Sequence, residues 1–125
     1  MPLTLLPVLP ALPRNACRCH CCSACCATTD NRDQTSFNHI HHIGEGYLSD
    51  MGCVYTLGHQ PGSVVKNNFC TDVQSFNYGG WAYYTDEGSR DELFENNIGA
   101  RTKCAGHHQH YGTDNTLRNN VHRIM

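Results

Sequence analysis

The sequence predicts an all-β solenoid of about four coils that begins near Ser36. Two repeated motifs predict this fold class: an asparagine motif recurs at intervals of 30, 29 and 23 residues, and a glycine motif recurs in phase with it. The apolar stretches are short and bounded by Gly, Asn, Asp and Pro, which is typical of strands. No segment shows the apolar spacing of a helix. A repeat this short cannot bury its apolar face alone, so its copies must stack.

The asparagine motif consists of three Asn-Asn pairs and one earlier, partial copy. Each pair follows a short apolar stretch and precedes an apolar residue. The residues that align with one another are Asn38, Asn68, Asn97 and Asn120. Asparagine tolerates the left-handed backbone of tight turns, and stacked side-chain amides can hydrogen-bond to one another along a solenoid. The motif therefore predicts a turn in each coil, with each asparagine stacked on the next.

The glycine motif is Gly52-Cys53-Val54-Tyr55-Thr56. It recurs as Gly80-Trp81-Ala82-Tyr83-Tyr84 and, more loosely, as Gly106-His107-His108-Gln109-His110. The second Asn of the following pair comes 16, 17 and 14 residues after these glycines. Two motifs that recur at a similar separation in three copies indicate a repeated β-unit.

The amino-terminal residues 1–35 differ from the rest of the chain. Prolines recur every three to five residues up to Pro13, which forbids a regular helix. A signal peptide would carry a basic residue before its apolar run, whereas Arg14 follows it. We therefore interpret residues 1–35 as an irregular, Cys-rich segment without a convincing signal peptide, and residues 36–125 as a partial repeat domain.

Six of the nine cysteines lie within residues 17–26. Their close spacing would let neighbouring thiolates share Zn²⁺ or Cu⁺, but the separated second pair of ligands typical of an organising zinc site is missing. We favour a disordered, dispensable extension, and a segment outside the native coding sequence is a third interpretation. Because an odd total argues against a closed disulfide framework, we interpret Cys53, Cys70 and Cys104 as small buried hydrophobic residues.

The composition excludes several classes of partner. The chain has 125 residues, a net charge of −2 and 16% charged residues, which suits one domain. It lacks the basic surface of a nucleic-acid-binding protein, and no apolar run approaches the roughly 18 residues of a membrane helix. We expect neither a nucleic-acid nor a membrane partner, and the oligomeric state stays open.

From about Ser36 onward the chain resembles right-handed parallel β-helix proteins of the pectate-lyase-like superfamily, and bacterial carbohydrate-active members in particular. Four motifs carry the resemblance: Ser49-Asp50-Met51-Gly52, Tyr78-Gly79-Gly80-Trp81, Asp86-Glu87-Gly88-Ser89 and His108-Gln109-His110-Tyr111-Gly112. Cys53 stands where such proteins repeat Gly, and such proteins build more coils, so the chain resembles a fragment of one. The resemblance implies an extracellular or periplasmic protein with a carbohydrate substrate and no cofactor.

The resemblance also implies catalytic acids on the loops of the two longer coils, namely Asp50 and either Asp86 or Glu87. Glycoside hydrolysis needs one acid that protonates the leaving oxygen and a second that acts as nucleophile or activates water. If the glycine markers stack, Asp50 lies just before one strand and Asp86-Glu87 just after the next, so that they could flank a groove. Asp50 could equally serve only to shape a turn.

Aromatic and histidine side chains near these acids are the candidates for substrate binding. Aromatic rings can stack on sugar faces, and imidazoles can hydrogen-bond to hydroxyl groups. The candidates are Tyr55, Trp81, Tyr83, His108, His110 and Tyr111. His39 with His41, and His108 with His110, each share a strand face and could bind zinc, but we favour hydroxyl-binding or turn roles and expect no metal.

Three functions stay open. We favour a glycoside hydrolase acting on a polysaccharide or oligosaccharide, although the fragment itself could be inactive. A polysaccharide lyase of the pectate-lyase type is the alternative enzyme, with Arg90, Arg101 or Lys103 as the basic residue. It is less favoured because cationic residues are sparse in the loops. The second alternative is a non-catalytic β-helix that binds glycan or serves a structural role.

Overall fold

A computed structural model describes residues 32–124 of the chain, in which there are eleven strands and no helix. In chain order the strands are Gln34–Ser36 (β1), His39–Ile43 (β2), Gly52–Thr56 (β3), Val64–Lys66 (β4), Phe69–Val73 (β5), Trp81–Thr85 (β6), Leu93–Glu95 (β7), Ile98–Thr102 (β8), His107–Gln109 (β9), Thr116–Arg118 (β10) and Val121–Ile124 (β11). The interpretations of the amino-terminal apolar run and of the cysteine block lie outside the described residues and stay predictions.

The strands form three parallel sheets, which the chain visits in a fixed order. The first sheet contains β1, β4, β7 and β10, the second contains β2, β5, β8 and β11, and the third contains β3, β6 and β9. Each strand pairs in parallel with the strand at the same place in the next repeat. One passage through the sheets is called a rung below, and residues 32–124 form three complete rungs and the first two strands of a fourth. The predicted all-β chain of stacked repeats is confirmed, and the arrangement is compatible with a solenoid.

A two-residue turn joins the first sheet to the second in every rung. The first residue of each turn has left-handed backbone, with φ between 52° and 58°, at Phe37, Asn67, Asn96 and Asn119. The second residue is the asparagine that the sequence aligns between repeats. The predicted turn in each repeat is therefore confirmed, but its left-handed residue is the one before the aligned asparagine and not that asparagine itself.

The stacked asparagines form a hydrogen-bonded ladder through the four rungs. Asn68 donates from Nδ2 to Oδ1 of Asn97 at 3.1 Å, and the backbone N–H of Asn68 donates to the same oxygen at 3.0 Å. Asn38 makes the same pair of bonds to Asn68, as does Asn97 to Asn120. Asn97 also donates to the carbonyl of Val65 at 2.9 Å. Because Asn68 and Asn97 are buried, the ladder satisfies polar groups that would otherwise be costly.

Side chains from all three sheets pack into one core. The first sheet contributes Val65 and Phe94, the second Ile40 and Val73, and the third Tyr83. The Tyr83 hydroxyl lies 3.1 Å from the main-chain carbonyls of Asn68 and Ile98, to which it can donate. The polar atom of this buried ring therefore has hydrogen-bond partners. The face of the third sheet opposite this core is called its outer face below.

A disulfide joins Cys53 on β3 to Cys70 on β5 across the core. The two residues are 17 apart in sequence, and their Cα atoms are 6.1 Å apart. Because β3 and β5 belong to different rungs and different sheets, the bond ties together two levels of the stack. Both residues are buried as predicted, but their interpretation as unpaired residues is wrong. Cys104 is free and exposed, so its predicted burial is also wrong.

The register of the third sheet differs from the alignment of the glycine motifs. The structure pairs Tyr55 with Tyr84, whereas aligning Gly52 with Gly80 would pair Tyr55 with Tyr83. Gly80 lies in the turn before β6 with φ of 93°, outside the strand. A shift of one residue moves every side chain to the opposite face of a sheet. The glycines therefore do not stack as the alignment implied, and Tyr84 rather than Tyr83 lies beside Tyr55.

The differences in rung length lie mainly in the connections from the second sheet to the third. These connections are residues 44–51, 74–80 and 103–106, and the first two are the longer ones. The extra residues of the long repeats therefore form loops at the edge of the third sheet, which is where Asp50 and Tyr78 lie. Within residues 32–124, no helix is long and apolar enough to span a membrane.

Candidate functional site

Asp50 and Asp86 come from turns at opposite ends of neighbouring third-sheet strands. Asp50 lies shortly before β3 in left-handed backbone, with φ of 54°, and its N–H donates to the carbonyl of Tyr78 at 2.7 Å. Asp86 directly follows β6, and its N–H donates to the carbonyl of Thr56 at 2.9 Å. Asp50 is exposed, whereas Asp86 is only 7% exposed. The two predicted acids are thus fixed by the backbone in different environments.

Tyr84 and Tyr55 connect the two acids. The Tyr84 hydroxyl donates to Oδ1 of Asp50 at 3.1 Å, and the Tyr84 ring packs against Tyr55, which donates to Asp86. Burial of the ring, the hydrogen bond to Asp50 and the negative charge of the nearby Asp86 raise the pKa of Tyr84 far above its usual range. The phenol therefore keeps its proton, which it donates to Asp50 on the outer face.

Asp86 has a hydrogen-bond partner on each carboxylate oxygen. The Tyr55 hydroxyl donates to Oδ2, and Nδ1 of His110 lies 2.8 Å from Oδ1. Burial alone would raise the pKa of Asp86, but the hydrogen bonds from Tyr55, His110 and Tyr84 outweigh it and hold the pKa below its usual range. Asp86 is therefore an ionised, almost buried carboxylate whose oxygens are both engaged.

The rings of the outer face pack against one another. Tyr55, Tyr84 and His108 occupy equivalent positions on β3, β6 and β9. Trp81 stacks on His108 with centroids 4.2 Å apart and planes 11° apart, and it packs edge-to-face with Tyr78. Trp81 is consequently only 5% exposed. Its ring faces are covered, whereas the predicted role in sugar binding requires an open ring face. The side chains that meet here, Asp50, Tyr55, Trp81, Tyr84, Asp86, His108 and His110, are called the outer-face cluster below.

Two exposed tyrosines border the outer-face cluster. Tyr111 is 78% exposed, and its ring centroid lies 4.4 Å from that of His110. Tyr78 is 53% exposed and contacts the cluster through Trp81. Open ring faces for stacking on a sugar are therefore provided by Tyr111, which the sequence singled out for binding, and by Tyr78.

Two of the predicted site residues lie neither in the outer-face cluster nor at its border. Tyr83 is 1% exposed and lies in the core, so the binding role predicted for it does not fit its position. Glu87 is exposed, and its side chain makes no hydrogen bond or ion pair with the described residues. Its backbone N–H instead hydrogen-bonds to the adjacent carboxylate of Asp86. Of the two adjacent acids, the structure brings only Asp86 to the cluster.

The basic residues weighed for a lyase bind elsewhere. Arg101 makes a two-pronged contact with Asp72, with nitrogen–oxygen distances of 2.6 and 2.7 Å. Lys103 donates from Nζ to three consecutive main-chain carbonyls, and Arg90 pairs with Asp91. Over the described range, no three His, Cys, Asp or Glu side chains are arranged to hold a metal ion.

Sequence reasoning missed Tyr84, which lies in the chain of contacts between the two acids. The glycine alignment gave Tyr83 the place that Tyr84 takes in the structure. Strand alternation across the adjacent pair Tyr83-Tyr84 was the available signal, because neighbouring side chains on a strand point to opposite faces. That signal shows that only one tyrosine can face outward, and the register decides which one.

The sequence matches no protein-family model, no curated protein and no solved structure. The fold is therefore described by its own sheets: parallel strands, three sheets, and three complete rungs with part of a fourth. The chemistry available on the outer face is that of two carboxylates, neutral phenols, stacked imidazoles and two exposed tyrosine rings.

Proposed function

We propose that the chain is part of a right-handed parallel β-helix of the pectate-lyase-like type, and that its outer-face cluster binds and hydrolyses glycan. The observation that carries this proposal is the chain of contacts from Asp50 through Tyr84 and Tyr55 to Asp86, beside exposed tyrosine rings. Right-handedness is the usual sense for parallel strands joined by crossover connections.

The arrangement suits a neutral sugar polymer. Two carboxylates are what glycosidic bond hydrolysis uses, and the exposed rings of Tyr78 and Tyr111 can stack on sugar faces. The charged residues that reach the cluster are acidic, whereas Arg101 and Lys103 are engaged elsewhere. A polymer of uronate sugars would meet like charge here, so a lyase is supported less well than a hydrolase.

The test is a turnover screen with the full 125-residue chain. Neutral polymers (xylan, galactomannan, soluble β-glucan) and acidic polymers (polygalacturonate, alginate) are incubated with the protein, and new reducing ends are measured. We expect release from a neutral polymer, and loss of that release in Asp50→Asn and Asp86→Asn. Glu87→Gln is the matched control, because it removes an adjacent acid that lies outside the cluster.

Three outcomes contradict the proposal in distinguishable ways. Products with an unsaturated uronate end replace hydrolysis by a lyase reaction. Binding of a glycan without turnover, weakened by Tyr111→Ala, indicates a binding module. Neither binding nor turnover of any polymer would reject carbohydrate as the ligand of this face.

A further inference from the structure

Within the proposed site, we propose that His110 is the general base of the hydrolysis and that Asp86 is a positioning residue that acts through it. This inference rests on the proposed function and changes the role of one of its two acids. The juxtaposition that carries it is the contact between Asp86 Oδ1 and His110 Nδ1 at 2.8 Å.

The contact arises from the stacking of two rungs. Thr85 at the end of β6 pairs with Gln109 at the end of β9. The residues that follow, Asp86 and His110, therefore leave their strands at the same level, and neighbouring strands of a sheet lie roughly 4.8 Å apart. The backbone N–H of His110 also donates to the carbonyl of Thr85 at 2.8 Å, which fixes the approach of the imidazole to the carboxylate.

The chemistry of the pair assigns the tautomer. An ionised carboxylate can only accept hydrogen bonds, so Nδ1 of His110 must carry the proton that it shares with Asp86. In the neutral imidazole this leaves a lone pair on Nε2. No described residue offers Nε2 a hydrogen-bond partner, and the His110 side chain is 37% exposed. A basic nitrogen is thus presented at the surface of the cluster.

Asp86 itself is badly placed to meet a substrate. It is 7% exposed, and its two oxygens accept from Tyr55 and from His110. A second His–Asp pair in the chain provides a contrast, since His59 and Asp91 meet through Nε2 and both side chains are more than two-fifths exposed. Burial of the acid and use of Nδ1 distinguish the Asp86 pair.

Other ionisable groups lie near His110 on each element that packs against it. From β9 and the turn after it come His108, whose ring is stacked at 6.0 Å, and Tyr111 at 4.4 Å. From β3 and β6 come Tyr55 and Tyr84, which contact Asp86 from the opposite side. The exposed Glu87 follows Asp86, and Asp50 lies beyond Tyr84. Asp86 is the carboxylate in direct contact with the imidazole.

The proposed step is a single displacement. Nε2 of His110 takes a proton from water as the water oxygen bonds to the anomeric carbon. The glycosidic C–O bond breaks, and the leaving oxygen receives the proton that the Asp50 carboxyl group carries on Oδ2 in the reactive form, while Oδ1 accepts from Tyr84. Proton exchange with solvent then returns both groups to their starting states. Attack by water opposite the leaving group inverts the anomeric configuration.

The experiment combines a spectroscopic measurement with kinetics on the full chain. Long-range ¹H–¹⁵N correlation spectra of protein labelled with ¹⁵N-histidine report the tautomer of His110. We expect the Nδ1–H form in the wild type and a shift towards the Nε2–H form in Asp86→Asn, because the new amide can donate to Nδ1. On a polymer that the wild type cleaves, His110→Gln and Asp86→Asn should lower kcat by roughly 10²–10⁴-fold with little change in KM. His59→Gln is the control and should change neither readout.

Each result supports or overturns the inference. An Nε2–H tautomer in the wild type overturns it without any need for a substrate or a variant. Full kcat in His110→Gln, or products that retain the anomeric configuration, overturns it while the proposed hydrolysis stands. Absence of turnover in the wild type rejects the proposed function, and the general-base role falls with it.

Discussion

Glu92 is a buried acid whose removal should stabilise the protein in a pH-dependent way. It directly precedes β7 and is 2% exposed, and neither carboxylate oxygen has a hydrogen-bond partner among the described residues. It lines a cavity of about 40 Å³ together with Thr56, Ser63 and Val65. Burial raises the pKa of Glu92 from 4.5 to about 7, and the nearby Thr56 hydroxyl counteracts only part of that rise.

The sign of the effect follows from the direction of this pKa shift. Between pH 4.5 and 7 the unfolded chain releases the Glu92 proton while the folded chain retains it. The unfolded state then binds fewer protons, so the free energy of unfolding falls as the pH rises through this window. Each unit of pKa shift corresponds to about 1.4 kcal/mol, so the full effect approaches roughly 3 kcal/mol above pH 7. This is an upper limit, because water in the cavity would screen the charge.

Glu92→Gln keeps the shape of the protonated acid and removes the ionisation. We expect the variant and the wild type to unfold with similar free energies at pH 4, and the variant to be more stable by up to about 3 kcal/mol at pH 8. Urea unfolding followed by circular dichroism at pH 4, 6 and 8 measures the difference. Glu87→Gln, at an exposed acid, is the control that should show no such pH dependence. A Glu92→Gln difference that stays constant across this range would refute the reasoning.

Three further changes test the stack itself. Cys53→Ala removes the bond to Cys70 and should lower the free energy of unfolding by about 3 kcal/mol, as expected for a closed loop of this length. A reductant should lower the free energy of unfolding of the wild type by the same amount, and an unchanged unfolding midpoint would contradict the crosslink. Asn97→Gly should lower the free energy of unfolding by roughly 2–4 kcal/mol because it leaves buried partners in the ladder unpaired. Asn96→Gly should hardly change it, because glycine suits the left-handed backbone there, and equal losses of both variants in urea unfolding would argue against the ladder. Gly79→Ala should lower the melting temperature, since its φ is 92° and a Cβ would lie 2.9 Å from a main-chain nitrogen, and an unchanged melting temperature would show that this turn is not tight.

The asparagine ladder could be predicted because it depends on local chemistry repeated at a fixed period. A left-handed turn favours asparagine whatever surrounds it, and a second asparagine at the same place in every repeat can only be useful if the repeats stack. Asn68, Asn97 and Asn120 do stack in adjacent rungs, as the sequence spacing predicts.

The candidate site was predicted less completely because it depends on register. Asp50 and the adjacent acids Asp86 and Glu87 were chosen from the resemblance and their position beside the strands, and Tyr55 from its place in the glycine motif. Tyr84 was missed, because Gly80 belongs to the turn before β6, and this moves the register by one residue and exchanges the faces of the sheet.

The sequence by itself determined an all-β chain of stacked repeats, the turns between the first two sheets and the presence of acids beside the third. Tertiary structure decided which side chains meet: Cys53 with Cys70, Tyr84 with Asp50, and Asp86 with His110. Each of these pairs joins residues that lie in different rungs or on different strands. Whether they meet depends on the number of residues in the connection between their strands, because that number sets the register in which the strands pair. Residue types alone do not show how many residues belong to the connection and how many to the strand.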